Sequence, residues 1–248
     1  MLSPLGTGPN GDLCAAALAA EVVVVALPRV PAADTGLCVT LTEPDGERTF
    51  VTAAGADSHL TAGHLSAVHP APGDVVHVSG YDLSYPGGPV LAAWAAGLPD
   101  GVALVLDPGP LVGDLDAALL VAVAGRADVL TLNERETAAL GGAEAARALL
   151  GDGGPGDRAL LVRRGAEGCT VTTADGVSTD VPALPVTVVD STGAGDAHTG
   201  VLAAGLLVGL PLLAATRRAN AAAALTVSRR GPATSPTRAE LDALLGAG

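Results

Sequence analysis

The 248-residue chain has no lysine, no isoleucine and no glutamine, and all thirteen of its basic residues are arginine. Without lysine there can be no Walker-type phosphate-binding lysine, no Schiff-base nucleophile and no protein-kinase strand lysine. Aromatic residues are also scarce: Phe50, Tyr81, Tyr85 and Trp94 are the full set, so a core must be built from Ala, Val and Leu. Cys14, Cys38 and Cys169 are odd in number and widely spaced. They form no Cys-x-x-Cys pair and read as reduced, mostly buried thiols of a cytoplasmic protein. No Gly-x-Ser-x-Gly elbow is present, which leaves a hydrolase of that type without support. The formal net charge of −13 argues against a nucleic-acid partner, since neutralising phosphates requires a basic face. Long apolar runs are missing too. Residues 22–25 are too few to span a bilayer, and Pro211 interrupts the stretch 200–213, so no membrane association is expected. The opening Met1-Leu2-Ser3-Pro4 has no basic n-region, and no signal peptide is read there.

Hydrophobic residues make up 49% of the chain, enough for one large α/β domain. From residue 74 onward, short Val/Leu runs alternate with Ala-rich helical stretches. Strands are expected at 74–79, 102–107, 129–132 and 158–163. Helices are expected at 88–96, 114–124 and, as one or two pieces, 134–150. Continuous apolar strands joined by crossover helices predict a mostly parallel sheet covered on both faces. Residues 168–173 and 177–181 flank Asp175-Gly176 and predict a hairpin. Helices at 194–208, 212–228 and 238–245 close the chain. Earlier, 37–42 and 48–53 alternate apolar and polar residues across Pro44-Asp45-Gly46-Glu47. They predict an antiparallel hairpin with one exposed face, which could act as a lid or pair with a second subunit to form a homodimer.

The most informative segment is Asp190-Ser191-Thr192-Gly193-Ala194-Gly195-Asp196, followed by an apolar helix. Glycines at 193 and 195 let successive N–H groups turn toward one point, and a helix N-terminus adds unpaired donors and a positive dipole end. Asp196, at the rim of that anion cradle, is placed to take a proton from an attacking hydroxyl. Anion cradle plus carboxylate base is the minimum equipment for phosphoryl transfer to an alcohol. A plain N-cap approach to a helix is the competing reading, and seven residues agreeing in order and type favour the functional one. Asn133 and Glu136 stand three apart at a strand-to-helix junction, which puts both on one side of the first helical turn. A simple capping arrangement explains that pair equally well.

These residues give the chain a resemblance to the ribokinase-like (PfkB) carbohydrate kinase family. Residues 190–196 match the family's C-terminal signature, and Asn133-Glu134-Arg135-Glu136 matches its Asn-x-x-Glu motif. Asp45-Gly46-Glu47-Arg48, Asp107-Pro108, Gly165-Ala166-Glu167-Gly168 and the helix at Asn220-Ala221-Ala222-Ala223-Ala224 fall in family order. The resemblance implies a three-layer α/β/α fold with a small β lid over 36–54, in one domain over 1–248. It implies an ATP-dependent kinase of a small sugar, sugar acid or nucleoside. Asp196 would be the base, with the backbone of Gly193, Ala194 and Gly195 as anion hole. Asn133 and Glu136 would orient Mg²⁺, commonly through water, and the phosphates. Gly165 and Asn220 would lie on the adenine and ribose side, with a solvent-facing Asn220 as the alternative, and Asp190 and Thr192 would either help hold K⁺, as in some members, or serve a purely structural role. Arg48, Tyr81 and Asp82 are candidates to approach the acceptor.

His198 stands where the family often has Phe and is assigned to packing or a backbone hydrogen bond. Arg163-Arg164 and Arg229-Arg230 could meet phosphate, with at least one of each pair expected in solvent. The chain departs from the family at its start. The usual Gly-Asp strand and Gly-Gly-x-x-x-Asn segment, both sugar-binding, are not found, and Leu2-Ser3-Pro4-Leu5-Gly6 resembles the strand that follows them. An N-terminally truncated, non-catalytic nucleotide-binding or interaction protein is therefore the alternative to a working kinase.

Overall fold

The structure is a computed structural model that describes residues 1–43, 48–151 and 158–246. The chain divides into two compact units: residues 1–69 with 82–94, and residues 70–81 with 95–248.

The first unit opens with helix α1 (Pro9–Ala20), which has Pro at its first position, where a missing N–H costs nothing. The Asp34 carboxylate accepts the N–H groups of Asn10 (3.1 Å) and Gly11 (2.8 Å) and so caps this helix from a distant loop. Strands β1 (Leu37–Thr42) and β2 (Arg48–Ala53) pair antiparallel from Leu37↔Ala53 to Thr42↔Arg48. Helix α2 (Ala62–Ser66) follows, closed by a capping box between Thr61 and His64.

Two expectations change here. The hairpin was expected to hide one face, yet Leu37, Val39 and Leu41 are exposed, as are Phe50 and Val51. A two-stranded ribbon has no second layer to cover it. Residues 2–6 do not form a strand, and one parallel bridge, Gly6 to Val30, is all that is formed there. Pro4 brings no N–H to a ladder. The motif positions Asp45, Gly46 and Glu47, and the Arg48 side chain, lie outside the described residues.

The remaining elements run from β3 (Val75–Ser79) through α3 (Gly80–Ser84), α4 (Gly88–Ala96), β4 (Ala103–Asp107), α5 (Ala117–Ala124) and β5 (Val129–Asn133). They continue with α6 (Glu134–Ala139), α7 (Ala143–Ala148), β6 (Ala159–Arg163), β7 (Cys169–Thr173) and β8 (Ser178–Val181). Helices α8 (Ala194–Leu207), α9 (Leu212–Val227) and α10 (Arg238–Gly246) complete the chain. The sheet order is β3-β4-β5-β6-β7-β8. The first four strands are mutually parallel and the last two antiparallel, as the apolar runs and the Asp175-Gly176 turn predict. Gly176 has φ +83°, which that turn requires. Helix α5 begins at Ala117, later than the periodicity suggests, because the Asp116 carboxylate accepts the Ala118 N–H at 2.8 Å and fixes the N-cap there.

The central strands β4, β5 and β6 are buried on both sides. On one face Val105, Val129, Leu161, Val171 and Val181 pack with Leu202 of α8 and with Ala215 and Ala219 of α9. Small residues bring those two helices close: a Cβ on Gly205 would lie 2.9 Å from that of Ala215. Alternate positions such as Leu104, Leu106, Leu130 and Leu160 are fully buried as well and point to the opposite face. With few aromatics, closeness of approach replaces side-chain bulk in making this core. Among the described residues, no helix is long and apolar enough to cross a membrane.

Candidate active site

Three parallel strands end in polar residues: β4 in Asp107, β5 in Asn133 and β6 in Arg163. Ligands of open α/β sheets bind outside these carboxyl ends. Asn133 caps α6 reciprocally. Its Oδ1 accepts the Glu136 N–H (2.9 Å), while Glu136 Oε2 accepts the Asn133 N–H (2.7 Å) and Oε1 accepts from Nδ2 (2.7 Å). This is the capping box that competed with the functional reading, and it turns the Glu136 carboxylate back toward the strand ends. Glu136 is 5% exposed. Burial raises its pKa, opposed by the Asn133 N–H and by the charge of Arg163.

Arg163 ties the strand ends together. Nη1 donates to Asp107 Oδ2 at 2.7 Å and Nη2 to Glu136 Oε2 at 3.3 Å. Thr199 Oγ1 of α8 donates to Asp107 Oδ2 at 3.1 Å and accepts from Arg163 Nη1 at 3.4 Å. The Arg163 side chain is 14% exposed. Burial works against its charge, but the facing carboxylates of Asp107 and Glu136 outweigh it and keep the guanidinium above its ordinary pKa.

Helix α8 starts directly above this cluster. Gly193 is its N-cap, at φ +78°, with no side-chain cap. A Cβ there would run into the Pro232 carbonyl, so both conformation and space require glycine. The Ala194 N–H makes only a long bond, 3.4 Å, to Ser191 O. Asp190 braces the loop from below: its carboxylate accepts the N–H of Thr192 (2.9 Å) and of Gly231 (3.0 Å). Asp196 stands exposed on the first turn of α8.

Deeper in, His198 is 2% exposed and Asn220 6%. Asn220 Nδ2 donates to the carbonyls of Val181 (2.8 Å) and Pro182 (3.2 Å). Its Oδ1 is thus left to accept from His198 Nε2 at 3.1 Å. That network assigns the imidazole proton to Nε2 and leaves Nδ1 buried, without a hydrogen-bond partner among the described residues. Burial, with Arg163 nearby, lowers the His198 pKa to about 4. His198 does pack as expected, but its hydrogen bond goes to a side chain rather than to the backbone.

One pocket of about 960 Å³ gathers these groups. Asn133, Glu136, Gly165, Ala194, Gly195, Asp196 and Asn220 all line it. So do Asp107, Thr199 and His198, which the sequence did not place in the site, and Arg163, which it offered only as one of a pair that could meet phosphate. Ala183, Leu184, Pro185, Val186 and Val188 add an apolar wall. Gly193 sits behind the lining as the helix cap, and Asp190 and Thr192 brace the loop without lining it. Of the acceptor candidates, Tyr81 lines the pocket and Asp82 does not. Arg164 points elsewhere, paired with Asp180 (2.9 Å) and Glu167 (3.2 Å), and Arg229 is paired with Glu240. The signal for Asp107 was its place after an apolar strand and before Pro108. The signal for Arg163 was its place beside the Gly165 segment at the end of a strand, where it could meet phosphate.

The sequence profile of the pfkB family carbohydrate kinase matches residues 1–239. The chain is 35% identical over 243 residues to an uncharacterized sugar kinase, YegV, of Escherichia coli K12, covering 96% of this chain and 75% of that protein. Among solved structures, a putative ribokinase II of E. coli in complex with ATP and Mg²⁺ superposes with a TM-score of 0.80 at 25% identity, covering 99% of this chain and 82% of that one. A fructokinase of Vibrio cholerae O395, bound to fructose, ADP and calcium, superposes at 0.79 with 26% identity, covering 98% and 84%.

Proposed function

Because the chain belongs to the pfkB family of carbohydrate kinases, we propose that it transfers the γ-phosphate of ATP to a hydroxyl of a small sugar, sugar acid or nucleoside. The observation that carries this reading is the first turn of α8. There an exposed carboxylate, Asp196, lines the pocket beside Ala194 and Gly195. Asp196 is the base that takes the acceptor proton. The N–H groups of Gly193, Ala194 and Gly195 receive the charge that develops on the phosphoryl oxygens. In-line transfer needs little covalent help, so alignment and charge stabilisation supply most of the rate. The Asp190 braces and the left-handed Gly193 hold the cradle in shape before any substrate arrives, which is how such donors act efficiently.

The donor set around the strand ends is oxygen only: Asp107, Asn133 and Glu136. It fits Mg²⁺, a hard cation that keeps several waters. Both Glu136 oxygens already accept N–H groups, so Glu136 would hold the ion through water. Bound Mg²⁺ would neutralise charge between the phosphates. The apolar wall 183–188 with Gly165 and Asn220 is assigned to the nucleotide base and ribose, and Tyr81 to the acceptor side. A K⁺ ion near Asp190 and Thr192 belongs to the same reading, and its test is turnover in potassium against choline salts.

The experiment is ADP release from MgATP across a panel of sugars, sugar acids and nucleosides. Release that rises with one acceptor is expected. Folded protein that binds MgATP and never turns over with any acceptor would contradict the proposal.

A further inference from the structure

The kinase reading accounts for the loop and for Asp196, but it gives Arg163, which could meet phosphate, no particular phosphate and no step. Among the described residues Arg163 is the one arginine lining the pocket, in a chain that has no lysine. Its guanidinium lies against the anion loop: a Cβ built on Gly195 would be 3.2 Å from Nη1 and 3.7 Å from Cζ. Thr199 and Asp107 set its orientation, Asp107 through a short 2.7 Å bond to Nη1. By contrast, Nη2 makes only long contacts, 3.4 Å to Asp107 Oδ1 and 3.3 Å to Glu136 Oε2. Nη1 is thus held by a short bond and Nη2 by longer ones, in a side chain that lines the pocket. A buried ion pair is weak evidence for a purely structural role, because desolvation offsets much of its attraction. A planar fork aimed beside an anion cradle suits a phosphate, to which arginine donates strong charge-assisted bonds.

We propose, resting on the kinase reading above, that Arg163 is a catalytic residue of this site whose Nη2 edge donates to the terminal phosphate of the nucleotide and follows that group during transfer. Asp107 and Thr199 act as positioning residues that aim the fork. Gly195 is small because the guanidinium passes beneath it.

The test compares calorimetric affinities for Mg·AMP-PNP and Mg·ADP in the wild type, Arg163→Gln, Arg163→Lys and Arg164→Gln, with melting temperatures recorded for each. This needs no knowledge of the acceptor. A donor to the terminal phosphate is expected to favour the triphosphate analogue. Arg163→Gln should therefore lower the ratio of the two affinities by roughly ten- to hundredfold. Arg163→Lys, which keeps the charge and loses the fork, should fall between, and it carries the test if the Gln variant does not fold. Arg164→Gln, whose partners lie outside the pocket, should keep the wild-type ratio. A folded Arg163 variant that weakens both nucleotides equally, or neither, would overturn the assignment and leave the kinase reading intact. Wild-type protein that bound neither nucleotide would overturn the kinase reading and the assignment together.

Discussion

His198 makes the stability of this protein depend on pH in a way the structure quantifies. The imidazole is buried and neutral, with its Nε2 proton directed to Asn220 and its Nδ1 facing no acceptor. Protonating Nδ1 would place a second positive charge near Arg163 without a partner. Burial first, and Arg163 second, therefore lower its pKa from 6.5 to about 4. Between those values the unfolded chain binds a proton that the folded chain does not. Stability from this group is consequently full above the unfolded pKa and is lost as pH falls toward the folded one. The slope is about 1.4 kcal/mol per pH unit, amounting to roughly 3 kcal/mol over the whole window. The perturbation is His198→Gln, which keeps an amide N–H for Asn220 and cannot titrate. Urea unfolding of both proteins from about pH 7.5 to about pH 5 isolates the histidine, because every other titration cancels in the difference. Over that range the wild type should lose about 2 kcal/mol more than the variant. A difference that does not change with pH would refute the reasoning.

Two further perturbations follow from the same geometry. Gly193→Ala forces a Cβ into a left-handed position and against the Pro232 carbonyl. It should cost at least 1–2 kcal/mol by the usual penalty for that conformation and displace the anion loop, so nucleotide affinity should fall along with the melting temperature. Unchanged affinity would show that the loop does not bind phosphate. Burial pushes the Cys169 thiol up to about 12, whereas Cys38 lies exposed on β1. A disulfide reagent should label Cys38 at once and Cys169 only on unfolding, and rapid native labelling of Cys169 would contradict its place in the core.

How far the sequence could be read depended on the range of the interactions involved. The Asp175-Gly176 turn, the apolar parallel strands and the 190–196 loop were legible because local chemistry decides each of them. Asn133 and Glu136 were legible as a pair for the same reason, and capping and function turn out to use the same geometry. Arg163 was legible only as a residue that could meet phosphate, and its pairing was not: its partner Asp107 is fifty-six residues away, and only strand order brings the two together. The buried His198–Asn220 pair was equally hidden, since an asparagine in an alanine-rich helix gives no local sign of facing inward. The hairpin of β1 and β2 misled in the other direction. Its alternation predicts a covered face, yet alternation records only a strand's two sides and cannot supply a layer to pack on one of them.

The central claim is that Asp196 removes the acceptor proton while the loop before it holds the phosphate. It is tested most directly by Asp196→Asn, which preserves shape and removes the base, assayed with MgATP and the acceptor the wild type accepts. Turnover should fall ~10²–10⁴-fold while calorimetric affinity for Mg·ADP stays at the wild-type value. An Asp196→Asn protein that transfers phosphate at the wild-type rate would contradict the account.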